Sequence, residues 1–349
     1  MNISTREKKI VDILLERWPL QSSAIHEALV KRGENISLIT VKRALSDMAG
    51  RNILLIGGSG RSSSYQVSIL GRIFSDIDAH AYCAAEPDRR HGQKRYNQEL
   101  FAGIPNAIFS SEELNGLERA TVEYLGRTAD LPPAVEKREL ERLVIELSWK
   151  SSKIEGNTYT LLDTEKLILE NKEAPGHPRS EAQMILNHKN AFNFVREHAP
   201  LFKAPSRAHI EQLHAILIKD LDVGLGLRER MVGVLGSVYQ PLDNVHQIRE
   251  GLEALLAAIA RVETPYAKAL IALLGISYLQ PFEDGNKRTA RLLANAILLA
   301  YRCAPLSYRS VEESEYREAT LVFYEINSII PFKKIFIDQY DFAAKTYAV

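Results

Sequence analysis

The residues best suited to chemistry lie in one short segment between Gln280 and Arg291. Asp284 supplies a carboxylate, Gly285 permits a tight turn, and Arg288 and Arg291 bring two positive charges at helical spacing. Backbone N–H groups of a turn that leads into a helix converge on anions, and the helix dipole favours the same negative charge. This signature segment therefore predicts a pocket for a polyphosphate that carries a metal ion.

Two helices are expected to flank the signature segment. Pro281 restricts the residue before it to extended geometry, so the helix from Tyr266 is expected to end at Gln280. A second helix is predicted over Lys287 to Tyr301. Its periodicity separates an apolar face from a polar and cationic one, whose members are Arg288, Arg291 and Asn295.

The signature segment resembles that of Fic-domain proteins, which typically transfer AMP from ATP to a protein hydroxyl. The matching positions are Phe282, Asp284, Gly285, Asn286, Lys287, Arg288, Arg291 and Asn295. In the family, a histidine that acts as the general base begins the pattern, whereas this chain has Gln280. A glutamine side chain has no titratable nitrogen, and loss of a positioned base typically lowers a rate by about 10²–10⁴-fold.

The resemblance implies ATP and Mg²⁺ as ligands and assigns a role to each position. Asp284 would bind Mg²⁺. The backbone amides that would cradle the phosphates are those of Gly285, Asn286, Lys287 and Arg288. The side chains implied to contact the α-, β- and γ-phosphates and the nucleoside are, in that order, Asn286, Arg288, Arg291 and Asn295.

A second motif, Ser151, Glu155 and Gly156, matches the (S/T)xxxE(G/N) pattern that inhibits Fic proteins. Glu155 is expected in the last turn of a helix over 134–156, where the dipole disfavours a carboxylate. Gly156 can end that helix in left-handed geometry. A carboxylate at that place indicates a nearby cation, and the resemblance identifies it as Arg291. Their ion pair would turn Arg291 away from the γ-phosphate and leave ATP in a non-productive pose.

The residues from Leu227 to Tyr239 resemble the flap of the family, a β-hairpin that pins a target protein by β-strand addition. The residues expected to line it are Ser237, Val238 and Tyr239. The implied partner is a protein that presents a Ser, Thr or Tyr hydroxyl.

The first 68 residues resemble a winged helix-turn-helix domain. Ile10, Ile13, Leu14 and Trp18 at helical spacing predict the first of three helices, and Ser22 with Ser23, and Ser37, are expected to cap the second and the third. A glycine-rich turn between Ile53–Ile56 and Ser64–Val67 predicts a β-hairpin. Ten basic and six acidic residues give this part a net charge of +4. DNA is thus a candidate partner, and the residues expected to contact it are Thr40, Lys42, Arg43, Ser46 and Arg61. A solvated basic face, or a wing that packs on a partner protein, is the alternative.

The whole chain of 349 residues has a net charge of +0 and 46% hydrophobic residues, which is typical of a globular protein. Its two cysteines, Cys83 and Cys303, exclude a disulfide framework, and the charged N-terminus predicts a cytoplasmic protein without membrane spans. The predicted fold is mainly α: a Fic-type helical domain with a small β-hairpin flap, preceded by the winged helix-turn-helix domain. The predicted boundaries are 1–68 for the first domain, 69–96 for a linker, 97–330 for the Fic domain and 331–349 for a C-terminal helical extension. Whether the protein forms a homodimer stays open.

Three functions fit these patterns. The first is a protein adenylyltransferase that is autoinhibited by Glu155 and weakened or silenced by Gln280. The second is a non-catalytic, ATP-sensing transcriptional regulator that binds DNA. The third is a hydrolase that removes AMP from proteins, with Glu155 activating water.

Overall fold

A computed structural model describes residues 3–349, with the exception of the Arg61 side chain. The chain divides into two compact units. The first unit holds the chain up to Pro105 together with Gly233–Gln240 and Arg317–Lys333. The second holds Asn106–Val232, Pro241–Tyr316 and Lys334–Val349. The fold is mainly helical, as predicted. None of the helices in residues 3–349 combines the length and apolarity that a membrane crossing requires.

Three helices and a small sheet open the first unit. The helices are α1 (Thr5–Glu16), α2 (Ser22–Lys31) and α3 (Leu38–Gly50). The antiparallel strands β1 (Leu20–Gln21), β2 (Leu54–Gly57) and β3 (Ser64–Val67) lie in the order β1-β3-β2. The predicted hairpin is therefore joined by a third strand. Within it, Leu54 pairs with Val67 and Gly57 with Ser64.

The apolar periodicity of this region correctly identified its core. Ile10, Leu14, Val41 and Leu45 are fully buried in one cluster. Trp18, which was placed on the same stripe, is 55% exposed, because α1 ends at Glu16 and the stripe ends with it.

The helix starts of this region were predicted with mixed success. Ser37 caps α3 as expected, since its Oγ accepts a hydrogen bond from the Thr40 amide at 3.2 Å. The expected cap of α2 by Ser22 and Ser23 is wrong. That helix begins at Ser22, and its N-cap, Gln21, makes no side-chain capping bond.

The segment 69–96 contains more structure than its weak pattern indicated. It holds the short helices α4 (Ile69–Ile73) and α5 (Ala79–Cys83), and a 3-10 turn at Pro87–Arg89. A further short helix, α6, follows at Leu100–Gly103.

The remaining helices run from Ser111 almost to the end of the chain. They are α7 (Ser111–Thr128), α8 (Pro133–Ile154), α9 (Leu161–Glu170), α10 (Arg179–Glu197), α11 (Arg207–Leu217), α12 (Val245–Arg261), α13 (Pro265–Leu279), α14 (Asn286–Ala300), α15 (Glu313–Ile326) and α16 (Ile330–Thr346).

Helix α13 is the scaffold of the second unit. Of its residues from Tyr266 to Leu279, all but Lys268 are buried, as expected for a helix that is apolar all round. It packs against α12 and α14. Gly275 permits the close approach to α12, because a Cβ there would lie 2.2 Å from Leu255 Cδ1. Pro265 at the start of the helix and the Thr264 side chain, which accepts from the Ala267 amide, define its beginning.

The flap segment differs from the predicted hairpin. Residues Gly233–Gln240 form a turn at Leu235–Gly236, where Ser237 donates its amide to the Val234 carbonyl at 3.2 Å. Its β-type pairing is the single bridge between Gln240 and Arg95. No paired strands occur in the flap over the residues that the structure describes. Four glycines and a proline in 224–241 favour turns over a regular ladder.

Candidate functional site

The site begins where α13 ends. Gln280 caps the helix in left-handed geometry, with φ 50° and ψ 58°. The predicted end of the helix is therefore correct, but the extended geometry expected from Pro281 is wrong. The backbone is held from outside: the Nε of Arg228 donates to the Gln280 carbonyl at 2.6 Å, and the Arg228 amide donates to the Pro281 carbonyl at 3.0 Å. The Gln280 side chain folds back, and its Nε2 donates to the Ser277 carbonyl at 2.6 Å.

The turn between the helices is fixed from within by Asn286. Its Oδ1 accepts from the Phe282 amide at 2.9 Å and its Nδ2 donates to the Phe282 carbonyl at 2.8 Å. Gly285 at the N-cap of α14 has φ 77°, which glycine adopts without a steric penalty. The helical ladder starts with the Thr289 amide bonded to Gly285, so the amides of Asn286 to Arg288 are left unused by it.

His214 supports this turn from α11. Its ring stacks on Phe282, with the centroids 3.7 Å apart, and its Nε2 lies 3.0 Å from the Asp284 carbonyl oxygen, to which it donates. Burial lowers the pKa of His214 to about 4, so the ring is neutral. These contacts indicate a structural role for this histidine rather than a role as a replacement base.

Both arginines of the signature segment are buried. Arg288 Nη2 donates to Asp284 Oδ2 at 2.9 Å. Arg291 donates from Nε to Ser151 Oγ at 2.8 Å and from Nη2 to the Ser151 carbonyl at 2.9 Å. Within residues 3–349, the Nη1 atom of each guanidinium is buried without a hydrogen-bond partner. Unpaired buried donors are costly, so two of them on charged groups indicate a site for an anion.

Glu155 closes the site from the end of α8. It is the C-cap residue of that helix, and Gly156 follows with φ 97°, the left-handed geometry predicted for it. Glu155 Oε1 lies 2.8 Å from Arg291 Nη2, and its Oε2 lies 3.7 Å from Lys287 Nζ. Burial acts to raise the pKa of Glu155, but the charges of Arg291 and Lys287 outweigh it and hold the pKa below its usual value.

The side chain of Asn295 is hydrogen-bonded within the protein. Its Nδ2 donates to the Leu306 carbonyl at 2.9 Å and its Oδ1 accepts from the Leu306 amide at 2.8 Å. The side chain is fully buried and holds the segment that follows α14. A role beside a nucleoside would therefore act through that segment.

Asp284 is the only predicted metal ligand of the site, and its side chain is 66% exposed. Over the described part of the chain, no group of three or more His, Cys, Asp or Glu side chains is placed to hold a metal ion. A Mg²⁺ ion bound here would take its remaining ligands from phosphate oxygens and water.

His188 is a site-adjacent residue that the sequence analysis missed. It lies on α10, is fully buried, and has no hydrogen-bond partner for either ring nitrogen among residues 3–349. Burial and the charges of Arg291 and Arg288 place its pKa well below the usual value. The signal was available, because His188 continues the buried helical stripe of Ile185 and Phe192.

The comparisons with known proteins agree with this geometry. Residues 204–298 match the family model described as Fic/DOC family, a range that includes α13, the signature segment and most of α14. This part of the chain is similar to a Fic domain. The protein adenylyltransferase Fic of Nematostella vectensis is 28% identical over 188 residues, which are 52% of this chain and 44% of the relative. The chain thus spans less than half the length of that relative.

Two solved structures share the fold of the Fic domain. A Fic domain containing signaling protein from Bacteroides thetaiotaomicron superposes with a TM-score of 0.56 at 20% identity, over 66% of this chain and 94% of the other. A Fic family protein from Desulfovibrio desulfuricans has a TM-score of 0.56 at 24% identity, over 69% of this chain and 75% of the other. At these identities the likeness establishes the fold.

The predicted flap residues lie in the first unit, outside the second unit that carries the signature segment of the Fic domain. Ser237 Oγ donates to Glu325 Oε1 at 2.5 Å and accepts from the Tyr239 amide at 3.0 Å. Tyr239 is buried and stacks on Tyr324, and Val238 is half-buried.

The residues predicted to contact DNA are brought together on α3, which precedes the Fic domain in the chain. Thr40, Lys42, Arg43 and Ser46 are all exposed. The side chain of Arg61, the fifth predicted contact, lies outside the described residues.

Proposed function

We propose that this protein binds ATP with Mg²⁺ at the signature segment and transfers AMP to a hydroxyl of a protein target, in a repressed and slowed form. The observation that carries the proposal is the pair of buried guanidinium groups on α14, each with one unpartnered nitrogen. Support for the activity comes from the name of the Nematostella vectensis relative, protein adenylyltransferase Fic.

The parts of the site fit a triphosphate. Arg288 and Arg291 offer charged donors, and the first amides of α14 add dipolar ones at the positive end of the helix. Asp284 would hold Mg²⁺, which would supply positive charge beside the phosphates. Phosphoryl-type transfer depends mostly on such positioning and charge stabilisation, so a scaffold of this kind supplies much of the catalysis.

Glu155 would repress the reaction by competing for Arg291. A guanidinium that donates to Ser151 and Glu155 has one terminal nitrogen left for the γ-phosphate. The carboxylate also adds a negative charge beside the site, which repels a triphosphate. ATP would therefore bind weakly, or with its α-phosphate turned from the attacking hydroxyl.

Gln280 would slow the chemical step. In the transfer, the target oxygen bonds to the α-phosphorus, the bond to pyrophosphate breaks, and the hydroxyl proton must leave. Gln280 has no group that accepts this proton near neutral pH, and its Nε2 is bonded to the Ser277 carbonyl. His214 does not replace it, since it is buried and serves as a donor to Asp284.

The test measures binding and transfer separately. Calorimetry with ATP and Mg²⁺ compares the wild type with Glu155→Gly and with Glu197→Gly, which makes the same change at the exposed end of α10. Transfer is followed with α-labelled ATP in Glu155→Gly, with and without Gln280→His. We expect binding to strengthen only in Glu155→Gly, and labelling to rise strongly with the histidine. Absence of ATP binding in every form overturns the proposal.

A second candidate function is supported by the first unit. The exposed face of α3 carries Lys42 and Arg43, and the strands β2 and β3 follow it in the chain as a wing. Such a unit could place α3 in the major groove of DNA and make the protein an ATP-responsive regulator. Binding to random duplex DNA at increasing salt tests this. Lys42→Ala should reduce the salt slope by about one relative to Lys31→Ala on α2, because one phosphate contact is lost.

The hydrolase alternative uses the same Glu155 as the group that activates water. It predicts that AMP is released from a modified protein by the wild type and not by Glu155→Gly, which is the reverse of the order expected for transfer.

A further inference from the structure

A buried ion pair joins the segment 69–96 to helix α15. Arg90 Nη2 lies 3.3 Å from Glu325 Oε1, and the two side chains are 3% and 2% exposed. Arg90 also donates to the Gly236 carbonyl and, from Nη1, to Cys83 Sγ at 3.6 Å. All of these residues belong to the first unit. The pair thus links three stretches of chain that are far apart in sequence.

Glu325 accepts several hydrogen bonds. Its Oε2 accepts from the Tyr82 hydroxyl at 2.7 Å, and its Oε1 accepts from Ser237 Oγ at 2.5 Å. Its backbone carbonyl accepts from the Gln93 amide at 2.6 Å. Charged groups are retained in a protein interior when they are paired and their remaining hydrogen bonds are satisfied. The carboxylate of Glu325 meets this condition through Arg90, Tyr82 and Ser237.

The flap depends on this carboxylate for its internal order. Ser237, once bonded to Glu325, accepts the amide of Tyr239, whose ring stacks on Tyr324 with centroids 5.5 Å apart. At its far end, the Gln240 amide donates to the Lys94 carbonyl at 2.8 Å. The tip of the turn comes before these anchors in the chain, and its Leu235 is 96% exposed.

The turn of α15 that carries Glu325 also packs into the core of the N-terminal helices. Val322 and Ile326, which flank Glu325 on α15, are fully buried in the cluster formed by α1, α2 and α3. The flap is therefore connected to the N-terminal core through a single turn of α15.

We propose that Arg90 and Glu325 are positioning residues that set the conformation of the flap, Gly233–Gln240, for docking of the protein target. This inference rests on the proposed function, the transfer of AMP to a protein target, together with the role that the resemblance implies for the flap in receiving that target. A buried pair of this kind adds little stability over an apolar replacement, but it specifies one arrangement of the groups around it. Because Glu325 anchors the flap through Ser237, substitution of either partner is expected to release the flap.

Hydrogen exchange of the full-length protein tests the conformational part. Arg90→Met is compared with Arg89→Met, the same change at the exposed neighbouring position, and Glu325→Gln with Glu318→Gln, seven residues earlier on α15. We expect amides of 233–240 to exchange about tenfold faster in the first member of each pair, with helices α1–α3 unchanged. Equal exchange in folded Arg90→Met and Arg89→Met overturns the inference. If Arg90→Met does not fold, because a buried charge is left unpaired, Ser237→Ala replaces it. That change removes the bonds of the flap hydroxyl to Glu325 and to the Tyr239 amide and leaves no charge unpaired.

Labelling tests the functional part. In the Glu155→Gly, Gln280→His protein, Arg90→Met should reduce labelling of proteins in a lysate about tenfold and leave the calorimetric affinity for ATP unchanged. A loss of both would mark a general structural effect and contradict the assignment. If no form of the protein binds ATP, the proposed function fails, whereas the exchange experiment still decides whether the pair orders the flap.

Discussion

Glu155 Oε1 and Arg291 Nη2 are 2.8 Å apart, although 136 positions separate the two residues in the chain. The contact joins the end of α8 to the second turn of α14, and Lys287 adds a weaker contact from the first turn at 3.7 Å. Ser151 holds the same guanidinium through two further hydrogen bonds. Arg291 is thus oriented by α8 and not by the helix on which it lies.

Glu155→Gly should strengthen ATP binding and weaken the fold. The affinity should rise about tenfold or more, because Arg291 regains a donor and a repelling charge is removed. The free energy of unfolding should fall by about 1–3 kcal/mol, since a hydrogen bond to a charged group is lost. Calorimetry and denaturant unfolding measure the two quantities. Glu197→Gly should change the affinity for ATP little. An equal gain in that variant would contradict the repression of ATP binding by Glu155.

Acid should destabilise the protein through His214. Burial lowers its pKa from 6.5 to about 4, so the unfolded chain binds a proton at this residue at a higher pH than the folded chain does. Stability from this group is complete above 6.5 and is lost as the pH falls from 6.5 towards 4, by up to about 3 kcal/mol.

The measurement for His214 is the difference in pH dependence between variants. His214→Gln keeps a donor for the Asp284 carbonyl and removes the titration, so unfolding between pH 6.5 and 4 should depend less on pH than in the wild type. His246→Gln, at an exposed position of α12, should keep the wild-type slope. His188 contributes in the same direction in every variant and cancels in the comparison. An unchanged slope in His214→Gln would refute the assignment.

Gln280→His should add both rate and a pH dependence. In the Glu155→Gly background, AMP transfer should rise by about 10²–10⁴-fold. The rate should fall on the acid side with an inflection near the ordinary histidine pKa of about 6.5. The Gln280 form should show no such inflection. Rates of label transfer between about pH 5 and 8 measure this, and Gln247→His on the exposed start of α12 serves as the control.

Gly285→Ala should harm both the fold and the site. At φ 77°, an alanine is strained by about 1–2 kcal/mol, and its Cβ would lie 3.4 Å from Ile218 Cγ2. The amides that open α14 would shift, and ATP affinity should fall. Gly116→Ala, in the interior of α7 with no atom within 4 Å of a Cβ, should instead stabilise by about 0.5–1 kcal/mol. Equal stability of Gly285→Ala and the wild type would show that the turn tolerates a side chain.

Signals from neighbouring residues predicted the starts and ends of several helices well. The Ser37 cap, the end of α13 at Gln280 and the left-handed Gly156 each depend on a few neighbouring residues, and each agrees with the structure. Helix α7 was not identified by its periodicity, since charged residues surround its apolar stripe.

What the sequence could not predict depends on long-range contacts. The left-handed backbone of Gln280 is held by Arg228, and nothing near Pro281 indicates that partner. The segment 69–96 was interpreted as a linker because two of its buried residues, Tyr82 and Arg90, have their partners on α15. The assignment of Asn286 and Asn295 to ligand contacts stays a prediction, since both side chains are bonded to backbone groups here.

The left-handed backbone at position 280 affects which side chains this position can carry. Positive φ is uncommon for residues other than glycine, and asparagine, aspartate and histidine are several-fold enriched there, whereas glutamine is not. With φ 50°, this chain keeps a main-chain shape that suits an imidazole while it carries an amide. An exchange between the two side chains would leave the surrounding architecture intact, so the general base proposed for this position can be gained or lost by a change at a single codon.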